Sequence, residues 1–145
     1  MPRPSRRPAA VRGELTPAQH EIMTIVWEAG PAGLAVGDIW RMIADLREVA
    51  RTTVLTLVER LEKRGWLRRQ DRDGVVQVVA AVDRRETESR LAADFVAGFF
   101  GGSSLQLVQS LLGSRSLSAD EIARMEKLLA EARRKPRGRS PGGSR

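Results

Sequence analysis

A mainly α fold carrying one small β-hairpin is predicted by three features of this chain. The segment Ala50 to Gly65, ARTTVLTLVERLEKRG, places Val54, Leu57, Val58 and Leu61 at helical spacing, so that one face is apolar. The other side of the same helix carries Thr52, Thr56, Glu59 and Lys63, with Arg60 at the border. Directly after it, WLRRQDRDGVVQVV reads as two short strand-like runs joined by Asp71-Arg72-Asp73-Gly74. Past Val82 the pattern becomes helical only. A helix that packs by one face and offers hydroxyls and cations with the other, followed by a basic hairpin, predicts a winged helix-turn-helix domain with a small β-hairpin wing. The later helices predict a three-helix dimerisation region.

The elements follow in order. Thr16-Pro17-Ala18-Gln19 is a helix start: Thr16 caps, Pro17 suits the first turn, and Gln19 reaches back to complete a capping box. Ile22, Ile25, Val26 and Ala29 supply the buried stripe of this first helix, and Gly30-Pro31 stops it. The short Gly33 to Val36 piece reads as an extra strand. Val36, Ile39, Trp40 and Ile43 share one face of a second helix, from about Val36 to Leu46. The third helix is the threonine-bearing segment, closed by Gly65. Trp66 to Gln70 and Val75 to Ala80 then form the hairpin, where Asp73-Gly74 favours a tight turn. Asp83 caps a fourth helix from about Arg84 to Phe100, and Gly101-Gly102 breaks it. A shorter helix follows, and Ser118-Ala119-Asp120-Glu121 is a second capping box that starts the last one.

Charge is unevenly placed along the 145 residues. The net +7 divides into +4 over residues 1–13, +6 over residues 132–145 and −3 over everything between. The folded body is therefore slightly acidic, and the tails carry the high pI. Within the body, residues 47–72 hold eight Lys or Arg against four acids, a local +4. Such a patch marks a nucleic-acid surface more sharply than the global charge does. The tails, residues 1–14 and 135–145, lack apolar periodicity and are expected to be disordered. Residues 15–82 are expected as the DNA-binding domain and 83–134 as the helical dimerisation domain.

Several function classes find no support in the residues. Without cysteine there is no disulfide, thiolate metal site or cysteine nucleophile, which fits a cytoplasmic protein. No apolar run is long enough to span a bilayer, so no membrane insertion is expected. His20, the single histidine, makes no metal site by itself. Gly101-Gly102-Ser103-Ser104 is a hinge or cap and no phosphate loop, because no strand precedes it and no Lys follows. Trp27, Trp40 and Trp66 sit at core-like positions, where packing is favoured over base stacking. No nucleophile constellation or paired carboxylate is present, so no enzyme, cofactor or metal is expected.

The last three helices pose a physical problem. Leu91, Phe95, Val96 and Phe99 form one stripe, Leu105, Val108, Leu111 and Leu112 a second, and Ile122, Met125, Leu128 and Leu129 a third. About 50 residues of short amphipathic helices seldom make a stable domain alone. Their apolar faces meet either the winged helix or the same helices of a second copy. A twofold dimer suits DNA reading, since it sets two recognition helices about 34 Å apart on a palindrome.

These residues resemble a known family. LTPAQHEIMTIVW (Leu15 to Trp27), ARTTVLTLVERLEKRGWL (Ala50 to Leu67) and the helical C-terminal region are similar to the penicillinase repressors, the BlaI/MecI group of bacterial transcription repressors. The resemblance covers about residues 15–131, and its sharpest motif is Thr52-Thr53-Val54 with Thr56, Arg60-Leu61 and Lys63 to Gly65. It implies a homodimer with an N-terminal winged helix on a palindromic operator. It further implies a membrane sensor peptidase that responds to a β-lactam, after which the repressor is cleaved in its dimerisation region. Antibiotic-responsive members are cut between Asn and Phe in the second C-terminal helix, where this chain has Ser110-Leu111. Copper-responsive relatives carry a C-terminal cysteine cluster, which this chain lacks. Where the wing's second strand often has Tyr, Val76 and Val78 stand here.

On this reading Arg51, Thr52, Thr53 and Thr56 enter the major groove, where threonine can donate to or accept from base edges and pack its methyl on thymine. Arg60 and Lys63, with Arg64, lie toward the strand backbones, and Arg68, Arg69 and Arg72, placed at the hairpin tip, meet flanking phosphates or the minor groove. Glu59 and Glu62 either pair with arginines or, for Glu59, accept from a cytosine amino group. The expected partners are double-stranded DNA and a second copy of the chain. Two competing readings are a winged helix that binds protein and a drug-sensing repressor of the MarR type. MarR-type chains dimerise partly through helices ahead of the winged helix, and here only a short tail precedes Leu15.

Overall fold

A computed structural model describes residues 14–135, so the expectations for residues 1–13 and 136–145 lie outside the described residues. The order is α1 (Pro17–Ala29), a 3-10 turn (Gly30–Ala32), α2 (Val36–Ala44), α3 (Arg51–Lys63), β1 (Leu67–Arg72), β2 (Val75–Ala80), α4 (Arg84–Phe99), α5 (Ser104–Gly113) and α6 (Ala119–Arg134). Six helices with one antiparallel hairpin make the chain mainly α, with a winged-helix arrangement in its first part.

Local chemistry explains most boundaries. The predicted capping box opens α1: Gln19 N donates to Thr16 Oγ1 at 3.2 Å and Thr16 N donates to Gln19 Oε1 at 3.1 Å. At the end of α3, Trp66 N donates to Leu61 O and Gly65 N to Glu62 O, the Schellman pattern that turns the chain into the wing. The hairpin pairs Leu67 with Ala80 through Arg72 with Val75. Both turn residues, Asp73 and Gly74, have positive φ (54° and 79°), as a two-residue hairpin of the favoured twist requires. Gly33 to Val36 contributes a single bridge and no full strand: Leu34 exchanges backbone hydrogen bonds with Val78 at 3.0 and 2.7 Å. Glycine is needed beside it. A Cβ on Gly33 would stand 2.7 Å from Val78 O and 2.8 Å from Val79 Cγ1, at a φ of +74°.

The chain divides into two compact units, one up to Arg90 and one from Leu91 onward. The first unit has a closed core of Ile22, Met23 and Val26 (α1), Ile39 and Ile43 (α2), Val54, Val58 and Leu61 (α3), and Trp66, Leu67 and Val78 around the hairpin. Met23 and Ile22 are fully buried, while Ile25 is only packed on the rim, so the inner stripe of α1 is turned slightly from its expected position. Trp27 and Trp40 pack at the edge of this core and donate their indole N–H to Val82 O and Val49 O, both at 3.0 Å. All three tryptophans are packing residues.

The second unit is built differently. Among its described residues Val96 alone is buried. Phe95 is 48% and Phe99 78% exposed, with their rings against each other at 5.0 Å. Leu105, Leu112, Leu128 and Leu129 are exposed, and Leu91, Val108, Leu111, Ile122 and Met125 are half-buried. Ser118 and Glu121 form the second predicted capping box, so α6 has a fixed start although its apolar side is uncovered. No single helix among the described residues is long and apolar enough to cross a membrane.

Candidate nucleic-acid interface

The candidate interface is assembled on α3 and β1. Burying Val54, Val58 and Leu61 forces the opposite side of α3 outward, and Thr52, Thr53, Thr56, Glu59, Arg60 and Lys63 are all exposed there. Thr52, Thr53, Thr56, Leu57 and Arg60 line a shallow depression of about 290 Å³. Leu57 therefore has two roles, packing on the core from one side and flooring this depression from the other. Thr56 Oγ1 donates to Thr52 O at 2.9 Å. A hydroxyl has one proton, so in this rotamer Thr56 presents lone pairs and a methyl outward.

The cations separate into two groups. Among the described residues Arg60, Lys63, Arg68 and Arg72 form no ion pair and are exposed. Arg51, at the start of α3, is exposed with its guanidinium 5.9 Å from the centre of the Trp40 ring, a cation–π contact. Arg69 behaves otherwise. Its Nε donates to both carboxylate oxygens of Glu62, at 2.8 and 2.9 Å, which holds its pKa above the ordinary arginine value; hydrogen bonding to Glu62 is the largest cause and Glu62's charge the next. Strand alternation explains the split: Arg68 and Arg72 share one side of β1, and Arg69 points to the other. Register also moves two of these arginines, because Arg72 flanks the turn while Arg68 and Arg69 stand opposite Val79 and Val78, well down the strand.

Arg64 and Arg47 are structural. Arg64 Nη2 donates to Glu14 O at 2.6 Å and Nη1 to Gln19 Oε1 at 3.3 Å, tying the end of α3 to the start of α1. Arg47 is bound to Glu21 at 2.7 Å. His20 lies 3.8 Å from Glu88, whose carboxylate also accepts from Arg84 Nε at 3.0 Å. Apart from the i,i+4 pair Arg84–Glu88, these links join residues far apart in sequence, so no local pattern announces them. The expectation that Glu62 could pair with an arginine is met by Arg69, seven residues on across the helix-to-wing turn.

Known proteins are similar to this chain. A sequence profile described as penicillinase repressor matches residues 15–131. The methicillin resistance regulatory protein MecI of Mammaliicoccus sciuri is 26% identical over 116 residues, covering 80% of this chain and 93% of that protein. A penicillinase repressor of Staphylococcus aureus is 23% identical over 122 residues, covering 84% and 95%. Among solved structures, the oxidised form of MarR from E. coli is 22% identical, covers 82% of this chain and 76% of its own, and superposes with a TM-score of 0.48. With the profile spanning both units, this chain belongs to the penicillinase repressor family, a group of DNA-binding regulators and not of enzymes.

Proposed function

We propose that this chain is a cytoplasmic transcriptional repressor that binds a palindromic operator as a homodimer. The observation that carries the reading is the outward side of α3, where exposed threonines stand with Arg60 and Lys63, and the wing adds exposed Arg68 and Arg72, none of these four cations in an ion pair among the described residues. Hydroxyls and methyls supply base contacts, and the cations grip the phosphates on either side. Arg51, Thr52, Thr53 and Thr56 are the groove residues of this scheme. Arg69, whose Nε is held by Glu62, meets phosphate through its remaining N–H groups.

The second copy is supported by the exposed stripes of α4, α5 and α6. Phe95, Phe99 and Leu105 are too exposed to stabilise a monomer, and the same helices of a partner would cover them. Release from DNA is assigned to a sensor-linked peptidase. Ser110 and Leu111 lie inside α5, so cutting between them requires that helix to unwind locally. Cleavage there would cut the dimerising helices and return the chain to a weakly binding monomer.

Two substitutions test the division of labour on α3 and the wing. Thr56→Ala should weaken binding to the operator much more than to random DNA, whereas Arg72→Ala should weaken both alike and lower the salt dependence. Equal losses from the two would remove base reading from α3.

A further inference from the structure

The outward face of α3 is not uniformly basic. Thr52, Thr56, Glu59 and Lys63 follow one another along one stripe, opposite Val54, Val58 and Leu61. By helical rise the stripe is about 16 Å long, matching about five base steps. Two acids stand in this part of the helix, and they differ in what they hold. Glu62 is matched by Arg69. Glu59 is exposed and makes no hydrogen bond or ion pair among the described residues; its charge acts on Arg69 only as a minor influence beside that of Glu62, and Lys63 stands one turn further on. Leu55, 39% exposed, stands one turn before Glu59.

A free carboxylate in a groove walled by phosphates is repelled unless a donor meets it. The major groove offers two such donors, the amino groups of adenine and cytosine. On adenine the N7 lone pair lies beside the amino group, which suits an amide and repels a carboxylate. On cytosine the N4 amino group has no acceptor beside it on the same base. We propose that Glu59 is a specificity-determining residue whose carboxylate accepts a hydrogen bond from the N4 amino group of one cytosine in each half-site. This rests on the reading of α3 as the groove-entering helix. Thr52 and Thr56 then read the neighbouring bases, and Glu59 penalises every duplex that lacks the cytosine. A basic surface thereby becomes selective, because the same charge that costs affinity on random DNA is satisfied on the operator.

The test is selection from a pool of randomised duplexes by the full chain, Glu59→Ala and Glu59→Gln, with the bound fraction sequenced. Both variants sit on an exposed helical position that tolerates Ala and Gln, and circular dichroism reports whether the fold is kept. The native chain should enrich a twofold motif with one fixed C·G pair per half-site. Glu59→Ala should keep the rest of the motif, lose roughly 5- to 150-fold of preference at that pair, and bind random DNA more tightly. Glu59→Gln should move the preference toward adenine. A Glu59→Ala motif identical to the native one, cytosine included, would overturn the proposal while leaving the repressor reading intact. No motif from the native chain would overturn both.

Discussion

The winged unit and the helical unit that follows it are both built from amphipathic helices with well-formed caps, yet only one of them encloses its apolar stripes. In the first, three helices and a hairpin converge on a dry centre where Ile22, Met23, Ile39, Val58, Leu61 and Val78 have no exposed surface. In the second, from Leu91 onward, Val96 alone is buried among the described residues. Helix formation is local, whereas burial needs a facing surface. The hairpin and the turn of α2 into α3 give the first unit that surface within the chain. The second unit has to find it elsewhere, and on the proposed reading a second copy supplies it.

The sharpest way to break the first unit is at Gly33. Gly33→Ala places a methyl against Val78 O and Val79 Cγ1 at a positive φ, so denaturant unfolding should show a loss of about 3 kcal/mol or more. A near-neutral result would mean that the Leu34–Val78 bridge does not hold the wing. Next in size is the exposed aromatic pair. Phe99→Ala should cost the winged unit nothing and weaken the dimer by about 2 kcal/mol or more, some 30-fold in Kd. Sedimentation at several loading concentrations reads this directly. Should stability fall with no change in self-association, the aromatic stripe of α4 would be internal packing.

The two capping boxes compare the units at matched chemistry. Thr16→Ala and Ser118→Ala each remove the same kind of cap, worth about 1 kcal/mol. The Thr16 loss should be independent of protein concentration, and the Ser118 loss should appear only where the dimer is populated. The smallest effect belongs to the strut between α3 and the wing. Both partners are partly solvated, so Glu62→Gln should cost about 0.2–1 kcal/mol, a loss that shrinks at high salt. It should also free Arg69 and raise affinity for random DNA slightly. A drop in that affinity would show that the pair orients the wing for binding.

The sequence made the first unit legible because its signals are local. Thr16 with Gln19, the apolar spacing of Val54, Val58 and Leu61, Gly65 after α3, and Asp73-Gly74 each specify their own neighbourhood. The outward placement of Thr52, Thr56 and Lys63 followed from the inward placement of that stripe. Contacts across the fold were not legible. Arg64 reaches Glu14 and Gln19 from about 50 residues away, and Arg51 rests on Trp40 across the loop between α2 and α3. Arg69 looked equivalent to Arg68 in composition, and only the strand register showed it facing Glu62. The exposure of Phe99 was implied by counting apolar stripes, since three short helices offer more apolar face than they can cover among themselves.

One measurement joins the α3 surface to the second copy. The purified full chain is titrated by fluorescence anisotropy against the palindrome upstream of its own gene and a scrambled duplex, at several salt concentrations, with the stoichiometry fixed at saturation. A dimeric repressor should prefer the palindrome by ~10³-fold or more at physiological salt, with two chains per duplex. Equal and steeply salt-sensitive binding to both duplexes, or one chain per palindrome, would contradict it.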